Sequence, residues 1–234
     1  MRQAGGVTAA LGSIPTSNGP GAGLRAPIDG MSNGTRGFFG RASRSQTSRL
    51  PPGQHLTSGF PVLSAGATPR TAPADWTFAL QAEDGSAIAS WNWETFRALG
   101  AAEVTADIHC VTRWSKFDTD WRGVSVERIF AAAGLEEPPS PFVMAFCDGG
   151  YTTNLPVEDL LEDKAHVVWE YDGEALPPEH GGPARLLVPH LYFWKSAKWV
   201  RGLRFMEDDE PGFWELNGYH RYGNPWLEQR YDGD

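Results

Sequence analysis

Residues 104–115 read VTADIHCVTRWS, and the fold is read outward from them. Val104, Ala106 and Ile108 fall on one face and Thr105, Asp107 and His109 on the other, the period-two alternation of a half-buried strand. That strand delivers Cys110 at or just past its end. Upstream, Trp76–Leu80 alternates in the same way, and the Asp84-Gly85 pair predicts a hairpin reversal between 79–84 and 86–90. Trp93, Phe96 and Leu99 share one face of a short helix over 93–100. Downstream, 124–133 is expected to be a helix closed by Gly134, a good residue just past a helix C-terminus. Strands are expected over 142–146, 166–169, 185–188 and 198–205, with a short helix over 157–161. The sum is an α+β, mixed α/β, fold of many short strands, helices and long ordered loops, not a regular doubly wound sheet. No internal repeat is visible.

The chain has 234 residues, enough for a cofactor cleft within a substantial core. Its formal net charge of −9 is unevenly spread. Residues 1–50 carry six arginines against the single acid Asp29, while the remainder carries 14 bases against 28 acids. An acidic body repels phosphate backbones, so nucleic acid is not expected as a partner. No run approaches eighteen apolar residues, so no membrane span is expected. Residues 1–49 are Gly/Ala/Ser/Thr-rich without periodicity and read as a low-complexity, disordered tail, leaving 50–234 as the folded domain. The apolar run Val7–Leu11 is too short for a secretory signal, and no twin-arginine pair stands near the start, so a cytoplasmic protein is expected. Met31 opens a segment that reads as a second, more natural beginning. Pro51, Pro52, Pro61, Pro69 and Pro73 punctuate an extended approach along the body's surface.

Two cysteines in so long a chain are not a disulfide framework. Cys110, between His109 and the cation Arg113, stands where a thiolate is electrostatically favoured. Three uses fit it: an inert buried residue, a soft thiolate ligand for a polarisable metal, or a Cys–His nucleophile. Adjacency on a strand weakens the last for His109, since neighbours point to opposite faces. Further on, LPPEHGGPARLLVP (176–189) gathers His180, Gly181, Gly182 and Arg185 before an apolar strand. Two glycines allow a ligand close to backbone N–H groups, and Arg185 can hold a phosphate bidentately. YFWKSAKWV (192–200) adds Lys195, Ser196 and Lys198, donors suited to an anionic or polar ligand. Taken singly, each of these residues also fits turn chemistry or a solvated face.

HCVTRWS, ALPPEHGGPARLLVP, YFWKSAKWV and GFWELNGYHRYGNPW, in this order, together resemble the molybdopterin-binding domain of the sulfite oxidase family. The likeness is nearest to its small haem-free bacterial members, related to protein-methionine-sulfoxide reductase catalytic subunits, and covers about residues 50–230. It implies the sulfite oxidase-like fold and a molybdenum–molybdopterin cofactor with Cys110 as the metal's protein ligand. Pterin and phosphate contacts would fall on His180, where the reductase relatives carry asparagine, on Arg185, and on the Ser196-Ala197-Lys198 turn. Asp148 stands where those relatives place a threonine near the cofactor. The segment 60–66 is similar to the family's loop that closes over the cofactor and contributes Ser64.

The resemblance thus implies an oxidoreductase that performs two-electron oxygen-atom transfer on sulfite-like anions or on S- or N-oxides. Arg113 and His109 would shape the substrate's approach. It also implies a small-molecule substrate, a separate redox partner protein and a monomeric enzyme. Two other readings remain: a molybdopterin-binding protein without turnover, and a metal-free enzyme using Cys110 with His180 or His220.

Overall fold

Two sheets organise residues 48–234, the part of the chain that the computed structural model describes. The expected tail and the alternative start at Met31 lie outside the described residues, apart from the tail's last two positions. Arg49 is tied to the body, with its Nη2 2.5 Å from Asp107 and 2.6 Å from Asp118.

The first sheet contains β1 (His55–Leu56), β4 (Ala102–His109), β5 (Trp114–Ser125), β8 (His166–Tyr171), β9 (Glu174–Ala175) and β10 (Arg185–Leu187). The second contains β2 (Thr77–Gln81), β3 (Ala87–Asn92), β6 (Phe142–Cys147), β7 (Thr152–Pro156) and β11 (Val200–Met206), in the order β3-β2-β11-β6-β7. Pairing is antiparallel except for β1 on β5 and β2 on β11. Three short helices accompany them: α1 (Trp93–Arg97), α2 (Val126–Ala132) and α3 (Phe213–Leu216). The α+β expectation holds, with strands outweighing helices.

Local chemistry explains most boundaries. The β2–β3 hairpin turns where Gly85 takes φ 82° and the Asp84 carboxylate accepts from the Ser86 N–H. Helix α2 begins two residues later than expected, because Ser125 is its N-cap, accepting from the Arg128 N–H, and Val124 still belongs to β5. Such a cap stabilises a helix by about 1 kcal/mol. Strands β5 and β7 were not anticipated from the sequence.

Strand alternation divides the core. Val167 of β8 and Leu186 of β10 face the second sheet and join Phe78, Val143 and Leu203 in the larger cluster. Their neighbours Val168 and Leu187 face the other way, into a smaller cluster with Ile108, Trp114, Trp121 and Tyr192. Arg185, two residues from Leu187, shares that second face, and so does the candidate site. Gly123 of β5 makes the strand contact possible, since a Cβ there would collide with the Val167 carbonyl.

Candidate active site

Cys110 closes the β4–β5 hairpin. Its N–H donates to the Trp114 carbonyl at 2.8 Å and its carbonyl accepts from the Arg113 N–H at 3.0 Å. Arg113 sits at φ 74°, so a three-residue loop reverses the chain with its last residue left-handed. Glycine or asparagine usually marks that position, and for this reason the reversal is silent in the sequence.

The thiol is 7% exposed and its Sγ accepts from the Thr112 hydroxyl at 3.1 Å. Burial pushes its pKa up, opposed by the Thr112 hydrogen bonds and by the charge of Arg230. The sequence assigned the favourable field to Arg113 and His109; the cation that acts on the thiol is Arg230. Among the described residues no histidine hydrogen-bonds the Cys110 sulfur, which accepts from Thr112. That counts against a Cys–His nucleophile, which needs a base in reach. His220 is occupied elsewhere, its Nδ1 accepting from the N–H groups of Tyr222 and Gly223.

Cys110 opens onto a cavity of about 300 Å³. Of the residues singled out in the sequence, Ser64, Cys110, His180, Arg185, Ser196, Ala197 and Lys198 line it. Three do not. His109 points to the opposite face, bonded through Nδ1 to the Ser115 hydroxyl at 2.8 Å, with its ring edge-on to Trp226. Arg113 reaches toward Gly53. Asp148, after β6, accepts from the Thr71 hydroxyl at 2.7 Å and lies 3.7 Å from Arg201. It ties the approach segment to β11.

Arg185 is 1% exposed, yet among the described residues no carboxylate pairs with it. Its Nη1 donates to the His180 carbonyl at 2.9 Å and its Nη2 to the Ser196 carbonyl at 2.5 Å. The guanidinium carbon lies 4.0 Å from the Phe193 ring centroid. Burial lowers its pKa to about 9. Lys198 donates to the carbonyls of Leu63 at 2.6 Å and Glu179 at 2.9 Å. Burial and the charge of Arg185 bring its pKa to about 8. Two mutually repelling cations in an aromatic cavity, held only by carbonyl oxygens, form a site built for an anion. The phosphate of a molybdopterin fits that requirement.

His180 stacks on Phe60, with ring centroids 3.8 Å apart and planes 14° apart. Burial, with Arg185 and Lys198, lowers its pKa to about 4, so near neutral pH it is an uncharged hydrogen-bonding ring. The two glycines serve a different purpose from the one the sequence indicated. A Cβ at Gly181 would sit 3.0 Å from Lys198 and Arg185 atoms, and one at Gly182 would meet the Leu176 carbonyl. They admit the protein's own chain and thereby bring Lys198 beside Arg185. Lys195, expected to face a ligand, is instead buried against Glu215.

Sequence reasoning also missed the aromatic wall. Trp114, Tyr151, Phe193, Trp194, Trp214 and Tyr219 line the cavity. The Trp114 Nε1–H is buried and has no hydrogen-bond partner among the described residues. Tyr219 stacks on Trp214 at 4.8 Å and meets Trp194 edge-on at 5.0 Å. The segment GFWELNGYHRYGNPW had carried these rings in plain view, but only folding sets them opposite Cys110.

The sequence model of the oxidoreductase molybdopterin binding domain matches residues 65–214. The uncharacterized oxidoreductase YuiH of Bacillus subtilis (strain 168) is 42% identical over 200 residues, covering 84% of this chain and 100% of its own. An Azospira oryzae protein named as a protein-methionine-sulfoxide reductase subunit, YedZ1, is 25% identical over 134 residues, 57% of this chain and 50% of its own length. Among solved structures, the sulfane dehydrogenase SoxCD from Paracoccus pantotrophus superposes with a TM-score of 0.53 at 21% identity, covering 60% of this chain and 40% of that one. That last likeness speaks to the fold alone.

Proposed function

Because this chain belongs to the oxidoreductase molybdopterin binding domain family and is an enzyme that uses a molybdenum–molybdopterin cofactor, we propose that Cys110 is the metal's protein ligand and that the enzyme acts on neutral S-oxides. The observation that carries the placement is the pair Arg185 and Lys198, one buried and one half-buried cation with no carboxylate salt bridge among the described residues, in the same cavity as the Cys110 thiol. In this reading they hold the phosphate, while His180 and the Ser196-Ala197 backbone meet the pterin. Ser64 and Phe60 cover it from the approach segment.

The bound cofactor supplies two-electron redox chemistry coupled to oxygen-atom transfer. The chain's residues fix the reacting geometry. Thr112 holds the Cys110 sulfur through its hydroxyl, and the hairpin turn fixes the direction from which the sulfur approaches. The aromatic wall excludes water and strengthens each hydrogen bond made within it.

The substrate class follows from where the charges stand. In this reading Arg185 and Lys198, which repel one another, are taken up by the phosphate. Arg113, which was to greet an anionic substrate, does not line the cavity. With the phosphate on Arg185 and Lys198, a sulfite-like dianion would meet the aromatic wall, and desolvating it there is costly. A neutral sulfoxide carries an apolar body and a single polar oxygen, so it is less costly to desolvate against these rings. In the same reading a separate redox protein exchanges the two electrons, the chain acts as a monomer, and its two free buried cysteines fit the reducing cytoplasm.

The test is elemental analysis for molybdenum with fluorescence of the acid-released pterin, followed by assay of the loaded protein. Reduced viologen with methionine sulfoxide or dimethyl sulfoxide is set against sulfite with ferricyanide. Near-stoichiometric metal and faster sulfoxide reduction are expected. Faster sulfite oxidation would overturn the substrate class, bound metal that neither assay turns over would leave a carrier, and absent metal and pterin would overturn the whole reading.

A further inference from the structure

Outside the cavity lining, a small charged cluster packs against the turn that carries Cys110. Arg230, near the end of the chain, is 4% exposed. Its Nη1 donates to the Val111 carbonyl at 2.9 Å and its Nη2 to the Pro52 carbonyl at 3.3 Å. The guanidinium carbon lies 4.9 Å from the Tyr192 ring centroid. Glu228 approaches it at 3.6 Å, with about half of that side chain in solvent, and the Asp234 carboxylate accepts from the Arg230 backbone N–H at 2.9 Å.

Gly53 shows how closely these groups converge. At φ 68° it leaves a space where a Cβ would lie 2.6 Å from Glu228 Oε1 and 3.3 Å from both Arg113 Nη1 and Arg230 Nη2. Two guanidinium groups and the half-exposed Glu228 carboxylate therefore converge beside the turn. From the same stretch of chain, Gln54 Nε2 donates to the Cys110 carbonyl at 3.0 Å. The turn is thus clamped at two consecutive carbonyls, one of them by a buried cation.

We propose that Arg230, with Arg113 and Glu228, is a positioning cluster that holds the Cys110 turn in place and sets the charge environment of the cysteine–molybdenum bond. This rests on the reading of Cys110 as metal ligand. An electron added at the metal adds negative charge, and a fixed cation in a poorly screened interior favours that reduced state. The forked guanidinium also fixes the turn's direction, which a point charge on a flexible stem does less well.

The loaded enzyme tests the idea through readouts other than turnover: molybdenum content, melting temperature, the electron paramagnetic resonance spectrum of the metal and its midpoint potential. Arg230→Met is expected to move the midpoint to more negative values and alter the spectrum. Arg230→Lys should keep the midpoint near wild type while broadening the spectrum, since charge survives but the fork does not. Glu228→Gln removes the opposing charge and should move the midpoint the other way. Should Arg230→Met not fold, the Lys and Glu228→Gln variants still decide. Wild-type midpoints and spectra in the loaded variants would overturn the cluster's role. A wild type without molybdenum would instead overturn the ligand assignment, and this inference with it.

Discussion

The Lys195 ammonium and the Glu215 carboxylate meet at 2.6 Å with 1% and 0% of their side chains exposed. The pair lies directly behind the cavity wall. Glu215 Oε1 also accepts from the Trp194 indole N–H at 2.9 Å and from the Thr153 hydroxyl at 3.0 Å. Lys195 donates to the Asn154 carbonyl and side-chain oxygen at 2.9 and 2.8 Å and to the Arg221 carbonyl at 2.5 Å. One ion pair thereby joins β7, the Trp194 turn and α3, whose Trp214 lines the site.

Glu215→Gln conserves volume but leaves Lys195 charged and under-compensated. Breaking a buried pair in this way costs about 3–5 kcal/mol. Urea unfolding of the cofactor-free protein near neutral pH should show a loss of that order. A loss under about 1 kcal/mol would mean that water or another group replaces the carboxylate.

Arg185→Met separates cofactor binding from stability. The wild-type cation is buried without a carboxylate, so in cofactor-free protein the substitution should be neutral or stabilising. In the loaded protein it removes a charge-assisted contact worth about 1.5–3 kcal/mol, or roughly ten- to a hundredfold in pterin retention. Pterin fluorescence after dialysis measures it. Undiminished pterin content would remove Arg185 from the phosphate.

Cys110→Ser and Cys110→Ala should both abolish turnover while the fold persists, since the thiol occupies a hairpin position fixed by backbone hydrogen bonds. Circular dichroism and melting temperature check the fold, and metal analysis checks the site. Activity near the wild-type level in either variant would detach Cys110 from the metal.

Legibility in the sequence followed the range of the interactions. The β4 alternation, the Asp84-Gly85 hairpin and the strand before Asp148 are local patterns and were read correctly. β5 escaped because Asp118 takes φ 51° and a second irregularity falls at Arg122–Gly123, so its side chains lose the period of two. β7 escaped because Thr153 and Asn154 look like turn residues until their distant partners Glu215 and Lys195 are in place. Of the residues expected in the site, Cys110, His180, Arg185, Ser196, Ala197 and Lys198 from the recognisable segments line one cavity, whereas His109, Arg113 and Lys195 from the same segments do not. Arg230 had no local signal at all, since its bond to the Val111 carbonyl spans 119 residues.

Histidine burial predicts an acid-sensitive fold. His166, at the start of β8, is 3% exposed, and burial holds its pKa below the ordinary 6.5. His180, more open, is lowered to about 4. Below pH 6.5 the unfolded chain takes up protons that the folded chain refuses, so stability is fully present above that value and is lost as pH falls toward the folded values. Each such group contributes a slope of at most about 1.4 kcal/mol per pH unit, less for the partly solvated His180. Carboxylates titrate in the same range, so the decisive measurement is a difference. Unfolding free energies of wild type and His166→Gln in the cofactor-free state, compared between pH 7 and 4.5, should converge on acidification because the glutamine carries no such penalty. A difference that stays constant across that interval would show that His166 is protonated as easily in the folded chain as in the unfolded one.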